Sequence, residues 1–399
     1  MSTAVLTSRL DLSSVADSSL KAATRFWFAV TVLGQFVFAF AIASFYGMTA
    51  ARGDLHKWGK SISHGYVPGD TMGNTAVIMH LASAVVLMLS GTIQFVPAVR
   101  SRFPAFHRWN GRLYMLTTVT LSSAGLYMHW VRGSVGTLTQ HVLGSLNAPL
   151  MWVCAALALR YAMARDFRTH RRWALRLFMV ASASWFFRIA FFLWIAIFRG
   201  PFGFDPSTLA GPFPTFMMVG QYLIPLAILE IYFMARDRGT PLRRVGAAAL
   251  LFVSTLIMVG GLSAVTMANW VPDVKAGFDS RKSIGEALAV TISSNGIDQA
   301  AVEYHSLRAA NAANYNFDED ELNSLGYQLI HQNKIAEAIR VFQLNVESYP
   351  RSSNAWDSLA EGYMDAGNKT QAIANYKKAI QLKPDNHNSI AMLKKLTSQ

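Results

Sequence analysis

The sequence predicts an all-α protein: a seven-span transmembrane helical bundle followed by a soluble helical repeat domain. Three observations carry that reading. Apolar runs of bilayer length recur seven times before residue 270. Charge and composition change there. The last 80 or so residues repeat themselves at a spacing of 34. Composition agrees. The 399 residues are 52% hydrophobic and 15% charged, against about 25% charged in a soluble domain. Mean hydropathy is +0.26. A disordered chain is excluded, and a wholly soluble enzyme does not fit.

The expected organisation runs in chain order. Residues 1–25 are Ser- and Ala-rich, lack the short apolar region of a signal peptide, and form a cytoplasmic N-terminal segment. Residues 26–270 hold spans near 26–48, 74–97, 111–131, 142–164, 173–198, 214–235 and 245–268, each close to the roughly 20 residues a helix needs to cross. Residues 271–320 form a helical linker or capping region, and 321–399 the repeats.

Loop cations set direction. Arg100, Arg102, Arg108 and Arg112 crowd the loop after span two. Arg160, Arg165, Arg168, Arg171, Arg172 and Arg176 crowd the one after span four, and Arg236, Arg238, Arg243 and Arg244 the one after span six. Arg132 and Arg199 are the cations of the intervening loops. Rich loops stay cytoplasmic, so the N-terminus is expected inside and the tail outside. Arg52, Lys57 and Lys60, in the first outer loop, run against the pattern.

Residues 1–270 hold 23 Lys+Arg against 8 Asp+Glu, and the tail 13 against 15. The basic excess therefore serves orientation. No basic stretch interleaved with aromatics marks a nucleic-acid surface, so nucleic acid is not an expected partner. Cys154, the single cysteine, reads as a small packing residue.

In the tail, Leu322, Leu325, Gly326, Ala338, Phe342 and Pro350 align with Trp356, Leu359, Ala360, Ala372, Tyr376 and Pro384. This period, with small residues at helix crossings and Pro after the second helix, resembles the tetratricopeptide repeat. The resemblance implies a stack of helix pairs that takes a protein or peptide partner in a groove. A domain that only caps or dimerises the membrane part is the alternative. Residues 296–314 and 283–293 are expected to add helices to the stack, and Trp356 to lie buried in it. His305, His331 and His387 read as surface residues.

Four membrane-domain histidines have a telling order. His80 and His141 fall near the outer face, on spans two and four. His107 and His170 fall near the inner face, before spans three and five. A four-helix bundle holding two haems needs two such pairs. His129 competes with His141 as the outer ligand. Gly125 lies about five helical turns beyond His107, on the same helix face about 27 Å along. Gly91 lies about three helical turns beyond His80. Either supplies the missing side chain that a flat macrocycle needs. Arg188, about five turns beyond His170, is costly in a span and needs a partner, which a haem propionate would provide. Glu230 is matched instead with Arg176. The pattern resembles the transmembrane diheme cytochromes, such as the ascorbate-reducible family, over residues 74–199. That resemblance implies haem b, with iron held by His80, His141, His107 and His170. The bland alternative is that His107 and His170 are loop residues and His80 an interhelical hydrogen-bonder. His56 and His64 are expected to be solvated.

The stretch from "MHLASAVVLMLSGTIQFVPAVRSRFPAFHRWNGRLYM" to "HRRWALRL" is similar to a family of uncharacterised bacterial integral membrane proteins, a domain of unknown function. That implies a multi-pass protein of the bacterial inner membrane. Three functions then compete: a diheme membrane electron carrier, which as an enzyme would be an oxidoreductase; a non-enzymatic membrane-anchored repeat protein for interaction or assembly; and a transporter or sensor with a polar site around Arg188.

Overall fold

The computed structural model describes residues 2–397 except 61, 63, 68 and 207, with side chains from Leu12 onward except those of residues 56, 60 and 387. His56 and His387, expected on the surface, thus have side chains outside the described residues. The chain divides into two compact units, Met1–Phe278 and Asp279–Gln399. The expected boundary was at 270. The first unit runs further because a short helix packs back on it.

Helices make up the first unit. α1 (Ser2–Ile42) passes through a π-helical turn, Ala43–Gly47, into α2 (Met48–Arg52). Then come α3 (Thr71–Gln94), α4 (Pro97–Arg102) and α5 (Pro104–Tyr127), which ends in a π turn at Met128–Gly133. α6 (Leu138–Ser145) leads to α7 (Asn147–Met163), followed by α8 (Phe167–Ala181) and α9 (Ala183–Phe198). α10 (Pro212–Arg238) and α11 (Pro241–Val265) close the set, with α12 (Val271–Phe278) after another π turn. Local chemistry sets many of the starts. Asp70, Asp166 and Thr240 accept from backbone N–H groups of α3, α8 and α11, and Thr137 with Gln140 forms a capping box on α6. Proline opens α4, α5, α10 and α11, where its missing N–H costs nothing.

Five segments are long and apolar enough to cross a membrane: Leu12–Arg52, Thr71–Gln94, Leu138–Met163, Pro212–Arg238 and Pro241–Phe278. A sixth is added if α8 and α9, bent by 47°, count as one span. The expected total of seven is therefore not reached on length and hydropathy. The shortfall is expected span three, on α5, and its composition explains why. α5 buries Asn110, Tyr114, Thr117, Thr118 and Ser122 and exposes Leu113, Leu116 and Val119. Its polar side chains face protein and its apolar ones face outward, so averaging along the helix hides the outer stripe.

Close approach in this unit depends on glycine. A Cβ at Gly34 would meet the Trp185 ring at 2.6 Å, and one at Gly261 would meet the Ile189 carbonyl oxygen at 2.5 Å. Trp185 is fully buried where α1 and α9 meet.

The second unit is a helical stack. α13 (Ile284–Asn295) and α14 (Ile297–Ala310) fill the two stretches expected to be helical. A two-residue parallel pairing, β1 (Lys282–Ser283) with β2 (Tyr315–Asn316), ties the start of this unit to the segment just before the first repeat. α15 (Glu319–His331) with α16 (Ile335–Ser348), and α17 (Ser353–Asp365) with α18 (Lys369–Leu382), are the two copies of the repeat, and α19 (His387–Thr397) caps them. Phe342 and Tyr376, at matching positions, are both fully buried. Trp356 departs from expectation: its ring is only partly buried, and its Nε1–H donates to the Pro350 carbonyl at 3.0 Å. The ring packs at the rim of the core because its N–H needs an acceptor.

Candidate functional site

The histidines of the membrane unit are positioned by neighbouring helices. His80, on α3, has Nδ1 3.1 Å from the Leu121 carbonyl oxygen of α5. His170, on α8, has Nδ1 2.8 Å from the Ala158 carbonyl oxygen of α7. A carbonyl only accepts, so in both rings Nδ1 carries a hydrogen, and in the neutral form of either ring Nε2 keeps the lone pair. His107, on α5, sits within electrostatic reach of His170. Its Nδ1 is buried without a hydrogen-bond partner among the described residues.

Further along the chain, His129 stands in the π turn that ends α5, and His141 on α6. Their ring centres lie 4.8 Å apart. The Ser134 hydroxyl, 3.2 Å from His129 Nδ1 and 3.2 Å from His141 Nε2, bridges them. Arg132 fixes this turn against the start of α3, donating to Asn74 Oδ1 at 2.7 Å with Asp70 3.6 Å away. His80 feels the charges of Arg188 and His129. His129 thus touches the expected outer ligand His141 and lies near the other, His80.

Arg188 turns back on its own helix, donating to the Ser184 carbonyl at 3.1 Å and to the Ser184 hydroxyl, and lies over the Phe38 ring at 5.2 Å. Gly125 is packed by the His80 ring, 3.4 Å from where its Cβ would be. The space beside Gly91 is taken by Tyr114 and Phe178. Arg176 Nε donates to Glu230 Oε1 at 2.7 Å, the pairing expected from sequence. Cys154 is buried, as expected. Among the described residues, no group of three or more His, Cys, Asp or Glu side chains forms a metal site.

The repeat unit has a different charge pattern. Its first helices, α15 and α17, carry Glu319, Asp320, Glu321, Asp357, Glu361 and Asp365 and no Lys or Arg. Cross-helix bonds align the two. The Tyr327 hydroxyl reaches Glu361 and, at 3.1 Å, Ser358, and Asn354 donates to Glu319 at 2.9 Å. Asn388 of α19 donates to Asp357 at 2.8 Å and to Glu361 at 3.2 Å.

Burial holds the Glu361 carboxyl above its usual range, and Asp357 and Asp365 add to this, while bonds from Tyr327 and Asn388 oppose it. The folded state therefore keeps this proton to a higher pH than the unfolded chain does. Its contribution is fully present below the ordinary value of 4.5 and is lost as pH rises through the raised one. Urea midpoints of residues 279–399 at pH 5 and pH 7 should show Glu361→Gln gaining on wild type as pH rises. A wild-type-to-variant difference that stays constant across that range would contradict this.

Residues 77–224 match a family described as predicted membrane protein (DUF2306). That stretch contains His80, Gly91, His107, Gly125, His129, His141, His170 and Arg188, and stops short of α11. Residues 353–386 match the tetratricopeptide repeat. They cover α17 and α18, and α15 with α16 forms the preceding copy of that hairpin. No curated protein matches the chain. The DUF2306 segment and the repeat place the protein among multi-pass membrane proteins with a tetratricopeptide module.

Sequence reasoning missed Ser134 between the two histidines and the carbonyls of Leu121 and Ala158. A hydroxyl in a loop and a backbone acceptor carry no pattern of their own. The acidity of α15 and α17 was open to a helix-by-helix charge count.

Proposed function

We propose that this protein is a membrane anchor that presents an acidic tetratricopeptide groove to a basic protein segment. The observation that carries the reading is the charge division within the repeats. α15 and α17 carry six carboxylates and no Lys or Arg, with Asp320 and Asp365 exposed, Glu319 and Glu361 half-buried and Glu321 and Asp357 buried, whereas α18 bears Lys369, Lys377 and Lys378. Such stacks take extended or helical segments along their first helices, and a groove of one sign selects and steers a segment of the other. The test is binding of basic and acidic peptides to residues 279–399.

In this reading α5 makes a seventh crossing. Its 24 residues span about 36 Å at 1.5 Å each, and its outward stripe is apolar. Seven crossings with Arg-rich loops inside put the repeats outside the cytoplasm, at the bacterial inner membrane. A periplasm-active reporter fused after Gln399 should be active there. Activity of a cytoplasm-only reporter at that position would contradict the direction.

A second reading is favoured by the two anchored imidazoles. An axial ligand offers Nε2 while Nδ1–H is held by an acceptor, and His80 and His170 fit that requirement. Of the two outer candidates, His129 has Nδ1 against Ser134 and fits better than His141, whose Nε2 faces that hydroxyl. His107 with His170, and His80 with His129, are the residues that would hold two b-type haems. Such a group supplies one-electron transfer when bound. Protein made with ample haem should then show a Soret band and a reduced-minus-oxidised α-band, both weakened by about half in His80→Ala. Their absence in wild type removes this reading and leaves the anchor.

A further inference from the structure

A large cavity lies in the membrane unit, and no histidine among the described residues lines it. It has a volume of about 1190 Å³ and runs between α1, α8, α9, α10 and α11. Along most of its length the wall is apolar, with Trp27, Phe186, Leu193, Met217 and Ile257 among the lining residues. At one end the wall changes character. Lys21, Arg25, Arg100, Arg171, Arg236 and Arg244 line it there, all at the bundle end that carries the Arg-rich loops. The single lining carboxylate, Asp17, is already paired with Arg244 at 2.8 Å. Arg171 instead lies in the repulsive field of Arg236 and Arg100. No carboxylate pairs with these three among the described residues.

Arg100, Arg171 and Arg236 are exposed at the mouth of the apolar cleft, and a cluster of like charges with no carboxylate among them attracts an anion. The cavity is larger than a typical small-metabolite pocket, and its wall offers few polar groups to orient such a ligand. Apolar length with charge at one end is the shape of an amphiphile. We propose that this cleft binds an anionic phospholipid, its phosphate among Arg171, Arg236 and Arg100 and its acyl chains along α1, α9, α10 and α11. The membrane itself supplies that ligand.

The test uses the full-length protein, delipidated in a neutral maltoside detergent and titrated with dioleoylphosphatidylglycerol, dioleoylphosphatidylcholine or inorganic phosphate. Native mass spectrometry and thermal unfolding are the readouts. One phosphatidylglycerol should bind about tenfold or more tighter than phosphatidylcholine, since several cations near an anionic headgroup each add to its attraction. Arg171→Gln with Arg236→Gln should abolish the preference, and Arg171→Lys with Arg236→Lys should retain most of it. Ala190→Trp, on the apolar wall, should block both lipids and leave the helical circular dichroism unchanged. If Ala190→Trp does not fold, the glutamine and lysine pairs decide. Equal binding of the two lipids, an unchanged preference in the glutamine pair, or stabilisation by inorganic phosphate matching that of phosphatidylglycerol would each overturn the proposal.

Discussion

Phe342→Ala is expected to cost the repeat domain roughly 3–5 kcal/mol, shifting its urea midpoint sharply down with little change in slope. The ring is fully buried and sits at the crossing of the two repeats. Gly326 of α15 and Gly362 of α17 both face it. A Cβ at Gly362 would lie 3.1 Å from the ring, and one at Gly326 would collide with it. Its removal leaves a cavity bounded by two backbones that cannot close over it, which is where truncation costs most. Trp356→Ala should cost less, because that ring is only partly buried and its N–H reaches the Pro350 carbonyl. Urea unfolding of residues 279–399 measures both. A Trp356 effect larger than the Phe342 effect would mean that the helices cross elsewhere.

Gly261→Val should produce the largest loss in the membrane unit, about 3 kcal/mol. α11 approaches α9 there so closely that an added Cβ would fall 2.5 Å from both the carbonyl oxygen and the Cγ2 of Ile189. A side-chain clash can relax by a rotamer change, but a clash with a carbonyl moves a helix. Membrane helices associate largely through such small-residue contacts, since lipid offers no hydrophobic drive between them. Thermal unfolding of the full chain in detergent should show a clear loss, with Gly260→Val milder because its nearest neighbour is a Leu193 methyl at 3.6 Å. Equal effects at the two positions would contradict the close crossing.

The repeat was the most legible part of the sequence. Its period of 34 fixes which residues are inside, and Leu322, Ala338, Phe342, Ala360 and Tyr376 are all buried. Trp356 was misjudged because a consensus position says nothing of where an indole N–H must go. Apolar runs revealed the membrane helices, but α5 shows the limit of hydropathy. A helix whose polar residues bond inward, such as Asn110 to the Ser90 carbonyl at 3.0 Å, averages to an ambiguous value. Histidine order gave only the expectation of two ligand pairs, whereas Arg176 with Glu230 was read correctly as a pair. The choice between His129 and His141 depends on a π turn that places a loop residue, Ser134, between them. The cationic cavity was hidden because its six cations come from five separate parts of the chain.

The central claim is that α15 and α17 form a groove for a basic segment. Its most direct measurement is the affinity of residues 279–399 for a pool of short Lys/Arg-rich peptides against an Asp/Glu-rich pool of matched length and hydrophobicity, repeated with Asp320→Asn and Asp365→Asn together. Members of the basic pool alone should bind saturably, and the double variant and added salt should each weaken that binding severalfold. Binding of the acidic pool, or basic-peptide binding indifferent to both the variant and salt, would contradict the claim.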